Sequence, residues 1–373
     1  MTQHGLLKSV VLVVSLALTS ASFAEGGRTP LRVKNGIVTS ASRLASQAGV
    51  DIMQAGGNAV DGAIATAFAL AVTWPTAGNI GGGGFMVYHG EDGDATTFDF
   101  REKAPLAATQ RMFLGLDGEV VNNSNHMGAL SVGVPGTVAG LWKAHQERGS
   151  LPWADLVAPA VALARGGIPI SYELQSGFLR NKSRFDLYPS SQAKFFKADG
   201  SSYDLGELWV QEDLAHTLEL IQQNGRDGFY KGENAKRLAD YMKANGGIIT
   251  EEDLERYQPV EREPVRGTYR GYEIVSMPPP SSGGVALIQM LNILEVFFLF
   301  SLFLISPSFF LFLSLSFLLS FSFLSLLFFF PFFFFSFPLP LLFFYFFSSL
   351  SFFLSSLLHS LFLLSSSLFF LYS

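Results

Sequence analysis

The chain has 373 residues, with 25 Lys and Arg against 31 Asp and Glu, a formal net charge of −6 and no cysteine. An acidic chain without a basic block to neutralise phosphates excludes nucleic acid as its main partner. The missing cysteine excludes thiol catalysis, thiolate metal sites and disulfides.

At the N-terminus, Lys8 precedes an apolar run from Val10 to Leu18, followed by Ala21-Ser22-Phe23-Ala24. That is the layout of a secretory signal cleaved after Ala24, and it implies a periplasmic or secreted protein. The alternative is an uncleaved anchor, for which the run is short against a bilayer. After a short strand at Ile37-Val38, Ser40 or Ser42 caps a helix reaching about Gln54, with Leu44, Ala48 and Ile52 on one face. Gly56-Gly57 ends it. A second helix, from about Ala59 to Val72, carries Ala63, Ala65, Ala67, Ala69 and Ala71 and almost no polar face, so it is expected to be buried.

The glycines from Gly78 to Gly84 lack the lysine-serine or lysine-threonine ending of a nucleotide loop and the GxGxxG spacing of a dinucleotide fold. They predict backbone lying against backbone, or against a substrate, with no Cβ between. Glu91-Asp92-Gly93-Asp94 then turns the chain, so that a strand from Phe85 to His89 pairs with one from Thr96 to Phe100. In the second strand Thr96, Phe98 and Phe100 alternate with Thr97 and Asp99, the period of a half-buried strand. Pro105 ends the run. Arg101 therefore stands at a strand end, with fixed backbone and a two-donor fork suited to a carboxylate. On spacing alone the plainer reading, a solvated surface arginine beside Glu102, is the favoured one.

Residues 106 to 136 read as mixed and loop-rich. Helices follow from about Thr137 to Arg148 and from Trp153 to Arg165, the latter with Pro159 as a kink. Another begins near Val210, with Leu214, Leu218 and Ile221 in one stripe and Asn224-Gly225 at its end; a further one spans Asn234 to Asn245. Thr250-Glu251-Glu252-Asp253 fits a capping box. Strands from Val265 to Tyr269 and Tyr272 to Val275 pair around Arg270-Gly271, Ser276 to Gly284 is an extended segment, and a last helix runs from Val285 to Glu295. The six histidines are scattered without ligand spacing, so neither a metal nor another cofactor is expected.

Six segments, in order along residues 30 to 295, resemble the large-subunit part of gamma-glutamyltransferase, also called gamma-glutamyl transpeptidase or glutathione hydrolase. They are Gly56-Gly57-Asn58-Ala59-Val60-Asp61-Gly62-Ala63, the glycine run into Phe85, Phe100-Arg101-Glu102-Lys103-Ala104-Pro105, Pro135-Gly136-Thr137-Val138-Ala139-Gly140, Phe229-Tyr230-Lys231-Gly232, and Tyr269-Arg270-Gly271-Tyr272 leading through Ser276–Gly284 to Glu295. The resemblance implies an α/β (α+β) N-terminal-nucleophile hydrolase fold, an αββα sandwich, and a precursor that cuts itself into large and small subunits. The new N-terminal threonine of the small subunit is then the nucleophile, with its own amine as base. It takes the γ-glutamyl group of glutathione or a related compound as an ester and passes it to water or to an acceptor amino acid or peptide. Arg101 matches the family arginine that holds the glutamyl α-carboxylate. A related acylase of the cephalosporin acylase type, or a non-enzymatic membrane-tethered remnant, are the alternatives.

The resemblance ends at Glu295, and no threonine follows Thr268, so no catalytic residue is assigned in this chain. Without a small subunit the sandwich is expected to be incomplete and the chain as written inactive. Of the 78 residues from Val296 to Ser373, all but Val296, Ile305, Tyr345, His359 and Tyr372 are Phe, Leu, Ser or Pro. Phe, Ser, Pro and most Leu codons begin with two pyrimidines, so this stretch reads as a translated C/T-rich tract, the product of a gene-model, assembly or frameshift event. A membrane segment is the rival: more than about 18 uncharged residues meet the crude length criterion, but no Lys or Arg lies within the tail to set an orientation. The organisation expected is thus a signal in 1–24, the family-like region in 25–295 and the low-complexity tail in 296–373.

Overall fold

The structure is a computed structural model that describes residues 32–305, with side chains to residue 296. The expected signal and the tail beyond residue 305 lie outside the described residues. The described chain falls into two units, residues 32–267 with 273–288, and residues 268–272 with 289–305.

In the first unit, α1 (Arg43–Gln54) starts at Ser42, whose hydroxyl accepts the Ala45 N–H at 3.5 Å, and Gly56 follows its end at φ +102°. The helix α2 (Ala59–Thr73) begins in a capping box: the Asn58 side chain accepts from Val60 and Asp61 N–H, and the Asp61 carboxylate accepts from Asn58 N–H. Helix α2 is largely buried, as its alanines predict, although Ala63 is exposed. It meets α1 where Gly49 faces Gly62; a Cβ on Gly49 would stand 2.7 Å from the Gly62 carbonyl oxygen, so only glycine permits that approach. Helices α3 (Thr137–Arg148) and α4 (Trp153–Gly166) pack against α2, and α4 is continuous through Pro159.

Strands β1 (Phe85–His89) and β2 (Ala95–Asp99) form the expected antiparallel hairpin, with Phe85 opposite Asp99. Strand β2 is not half-buried as its alternation suggests; all five residues are buried. Its other edge pairs with β5 (Val260–Arg262), Thr97 facing Arg262 and Asp99 facing Val260, which makes β2 the centre of a three-stranded sheet. The buried polar positions are each satisfied: Thr97 donates to the Arg262 carbonyl at 2.8 Å and Thr96 to Glu261 at 2.7 Å.

Between α4 and the next long helix lie elements that the sequence does not announce. They are β3 (Ile168–Pro169), α5 (Tyr172–Arg180), α6 (Lys182–Phe185), α7 (Pro189–Phe195) and β4 (Leu208–Trp209), with β3 and β4 paired. Helix α8 (Glu212–Asn224) packs on α4 through Leu218 and Ile221 and stops at Gly225, φ +60°. Then come α9 (Asp227–Tyr230), α10 (Gly232–Ala244) and α11 (Glu251–Arg256); the last opens with the predicted Thr250–Asp253 capping box. Strands β6 (Val265–Tyr269) and β7 (Tyr272–Ser276) form a second two-stranded ribbon.

In the second unit, Arg270 and Gly271 both take positive φ, as a two-residue hairpin turn requires, and the Arg270 N–H donates to Glu295 at 2.9 Å. Helix α12 (Gly283–Ile305) is longer than expected, running past Glu295 to Ile305. No glycine or proline interrupts it after Gly284 within these bounds. Among the described residues, no helix is long and apolar enough to cross a membrane.

Candidate anion-binding site at the end of β2

Arg101 follows β2 by two residues, and its backbone is held from several sides. On one side Gly84 and Phe100 exchange hydrogen bonds, at 3.3 and 3.1 Å. On the other, Lys103 and Val134 exchange a pair at 3.2 and 2.8 Å. The Arg101 N–H donates to Asp99 Oδ1 at 3.1 Å, and its carbonyl accepts the Tyr257 hydroxyl at 2.7 Å. Every polar backbone group of Arg101 therefore has a partner in the fold.

The glycine run supplies the floor. A Cβ on Gly83 would stand 2.6 Å from the Phe100 carbonyl oxygen and 2.9 Å from Arg101 Cα. This is the close backbone approach that the run predicts. Asn79 ties the run to α3, since its Oδ1 accepts from Gly82 N–H at 3.0 Å and from the Thr137 hydroxyl at 2.6 Å. Gly82 in turn accepts the N–H groups of Gly136 and Thr137.

The Arg101 side chain is 58% exposed. Its guanidinium lies 5.7 Å from the Phe85 ring centre, and Nε donates to Glu102 at 3.1 Å. The neighbouring Glu102 pairs with it, and the guanidinium is displayed from a rigid strand end. An exposed pair of this kind is worth about 0–1 kcal/mol, so it gives way to a better anion. The two Nη groups hydrogen-bond to no described residue, which leaves the planar end of the fork for a carboxylate.

Residues that sequence reasoning passed over complete the surroundings. Asp99 is 7% exposed and accepts from Arg262 Nε and Nη2, both at 2.9 Å. That pair neutralises the one carboxylate buried next to Arg101. Asp253 accepts the Leu106 N–H at 2.6 Å and both donors of Thr250, fixing the chain beyond Pro105. Burial pushes the Asp253 carboxyl up, but the hydrogen bonds from Leu106 and Thr250 outweigh it and hold the group below its usual value. Tyr257 is buried; burial, with the Asp99 and Glu102 carboxylates nearby, pushes its phenol well above the ordinary tyrosine value, so it stays a donor. Asp99 sits inside a segment the sequence had already marked. Tyr257 and Arg262 carried no local signal, being more than 150 positions from their partners.

A cationic fork on a rigid strand end, with its own backbone saturated, can recognise a small carboxylate.

Residues 45–306 match the family model described as Gamma-glutamyltranspeptidase. Over 269 residues the chain is 47% identical to the glutathione hydrolase proenzyme of Escherichia coli (strain K12), covering 72% of this chain and 46% of that protein. It is 39% identical over 274 residues to the acylase ACY 1 proenzyme of Pseudomonas sp. (strain SE83), covering 72% and 49%. The crystal structure of Helicobacter pylori gamma-glutamyltranspeptidase superposes with a TM-score of 0.70 at 48% identity, covering 72% of this chain and 76% of that one. The chain spans about half the length of the curated relatives it matches.

Proposed function

The chain belongs to the gamma-glutamyltranspeptidase family and has its α+β N-terminal-nucleophile hydrolase fold, and we propose that Arg101 holds the α-carboxylate of a γ-glutamyl donor. The observation that carries this reading is the saturated backbone of Arg101 set against its displayed, open guanidinium. A γ-glutamyl group is zwitterionic at its α-carbon, so selecting it over a plain acyl group requires an anion clamp.

On this reading the described region is a large-subunit segment and its partner is the family's small subunit. Glutathione or a related γ-glutamyl compound is the donor, and the small-subunit threonine is the nucleophile. Its hydroxyl oxygen forms an ester with the γ-carbonyl carbon as the amide C–N bond breaks, and the leaving amine takes a proton. Water, or the amine of an acceptor amino acid or peptide, then attacks the ester and frees the threonine. The signal-like segment from Lys8 to Ala24 supports export from the cytoplasm as part of this reading.

Similarity to an acylase proenzyme favours a second reading, in which the donor is an acyl compound other than a γ-glutamyl one. The two readings part in one assay. The full chain is co-expressed with the C-terminal half of the E. coli relative, and glutamate release from glutathione is followed. We expect release, with Arg101→Ala raising the donor KM roughly 10- to 100-fold, the worth of a charge-assisted pair. Arg101→Lys restores part of this, since it keeps the charge but not the fork. No glutamate release, or an unchanged KM in Arg101→Ala, contradicts the reading.

A further inference from the structure

We propose that Tyr257 is a positioning residue for Arg101: its hydroxyl pins the arginine's carbonyl so that the guanidinium is presented at a fixed place to the donor carboxylate. This rests on the reading of Arg101 given above. The residues just after α11 act as a strap across the strand end. The Tyr257 hydroxyl donates to the Arg101 carbonyl at 2.7 Å, and Lys103 Nζ donates to the Gln258 carbonyl at 2.7 Å while lying 5.2 Å from the Tyr257 ring centre. Asp253, in the helix α11 that leads into the strap, takes the Leu106 N–H.

The strap is itself anchored. Arg226 Nη2 donates to the carbonyls of Glu255 and Tyr257, each at 2.8 Å. Tyr230 stacks on Tyr257 with ring centres 5.8 Å apart and planes 12° from parallel, and the Arg226 guanidinium lies 4.6 Å from the Tyr230 ring centre. The phenol has a place prepared for it: a Cβ on Gly136 would stand 2.2 Å from the Tyr257 oxygen, so a larger residue there would displace it. A phenylalanine would fill the same volume. The hydroxyl adds one thing, a bond to the main chain of the residue whose side chain meets the anion. An exposed arginine loses side-chain freedom when it grips a ligand, and a fixed backbone limits how much more must be ordered.

The test uses Tyr257→Phe, Arg101→Ala and the double variant in the co-expressed assembly, with a γ-glutamyl donor. We expect Tyr257→Phe to raise the donor KM about three- to tenfold with kcat within about twofold, and to add nothing in the Arg101→Ala background. An unchanged KM, a fall confined to kcat, or the same further rise in the Arg101→Ala background overturns the proposal. An unchanged KM in Arg101→Ala alone removes its premise, and that failure is read from the single variant. On the full chain by itself, trypsin should cut after Arg101 and Lys103 several-fold faster in Tyr257→Phe, with cutting after Arg165 unchanged. Equal acceleration at all three sites would mean a general loss of stability and would overturn the local role.

Discussion

Asp99 shows how a single buried charge organises the strand end. It accepts from Arg262 through two nitrogens and from the Arg101 N–H. Arg262→Met would leave that carboxylate buried with one donor. Part of the arginine is exposed, so we expect a loss of about 2–4 kcal/mol in urea unfolding, at the low end of buried-pair costs. Asp99→Asn in the same background should recover part of it. Asp253 gives the pH dependence. Its folded pKa is depressed, so its contribution is complete above the unfolded carboxyl value of about 3.9 and is lost as pH falls through the lower folded value. Asp253→Asn should therefore be less stable than the parent at pH 7 and lose less on going to pH 3, as thermal unfolding at the two pH values will show. At this scale the sequence revealed Arg101, because a strand and a proline bracket it. It could not reveal Tyr257 or Arg262, because nothing local records a partner so far along the chain.

Capping chemistry and glycine geometry made several elements legible. Ser42 and Thr250 each cap the helix expected of them, Asn58 caps α2 without having been singled out, and Gly56, Gly167 and Gly225 take positive φ just beyond helix ends. The glycine run was read as a close backbone approach, and Gly83 against residues 100–102 is that approach. Gly83→Ala should cost about 1–3 kcal/mol by urea unfolding, because backbone atoms, which cannot swing aside, meet the new methyl. Strand β2 was misjudged as half-buried because periodicity reports which residues alternate, not whether polar ones find partners inside. Thr97 and Asp99 do, once β5 lies alongside. The segment from β3 to β4 was not legible at all: its strands are two residues long and its helices four to nine, too short for a period to establish itself. Helix α12 overran its expected end because a uniformly apolar stretch without glycine or proline carries no stop signal.

For the whole molecule, family membership rests on ordered motifs spread over residues 45–306, and those motifs converge in part on one place. The glycine run, the segment around Arg101 and the Pro135–Gly140 segment meet at the end of β2, joined by Asn79, Thr137 and Gly82. That convergence is what turns a strand-end arginine into a candidate clamp. The most direct test of it compares two donors in the co-expressed assembly, one γ-glutamyl and one γ-aminobutyryl, which keeps the scissile amide but lacks the α-carboxylate. We expect the parent to prefer the γ-glutamyl donor strongly in kcat/KM and Arg101→Ala to lose roughly 10- to 100-fold of that preference. A preference left intact in Arg101→Ala would contradict this, since some other group would then be reading the carboxylate.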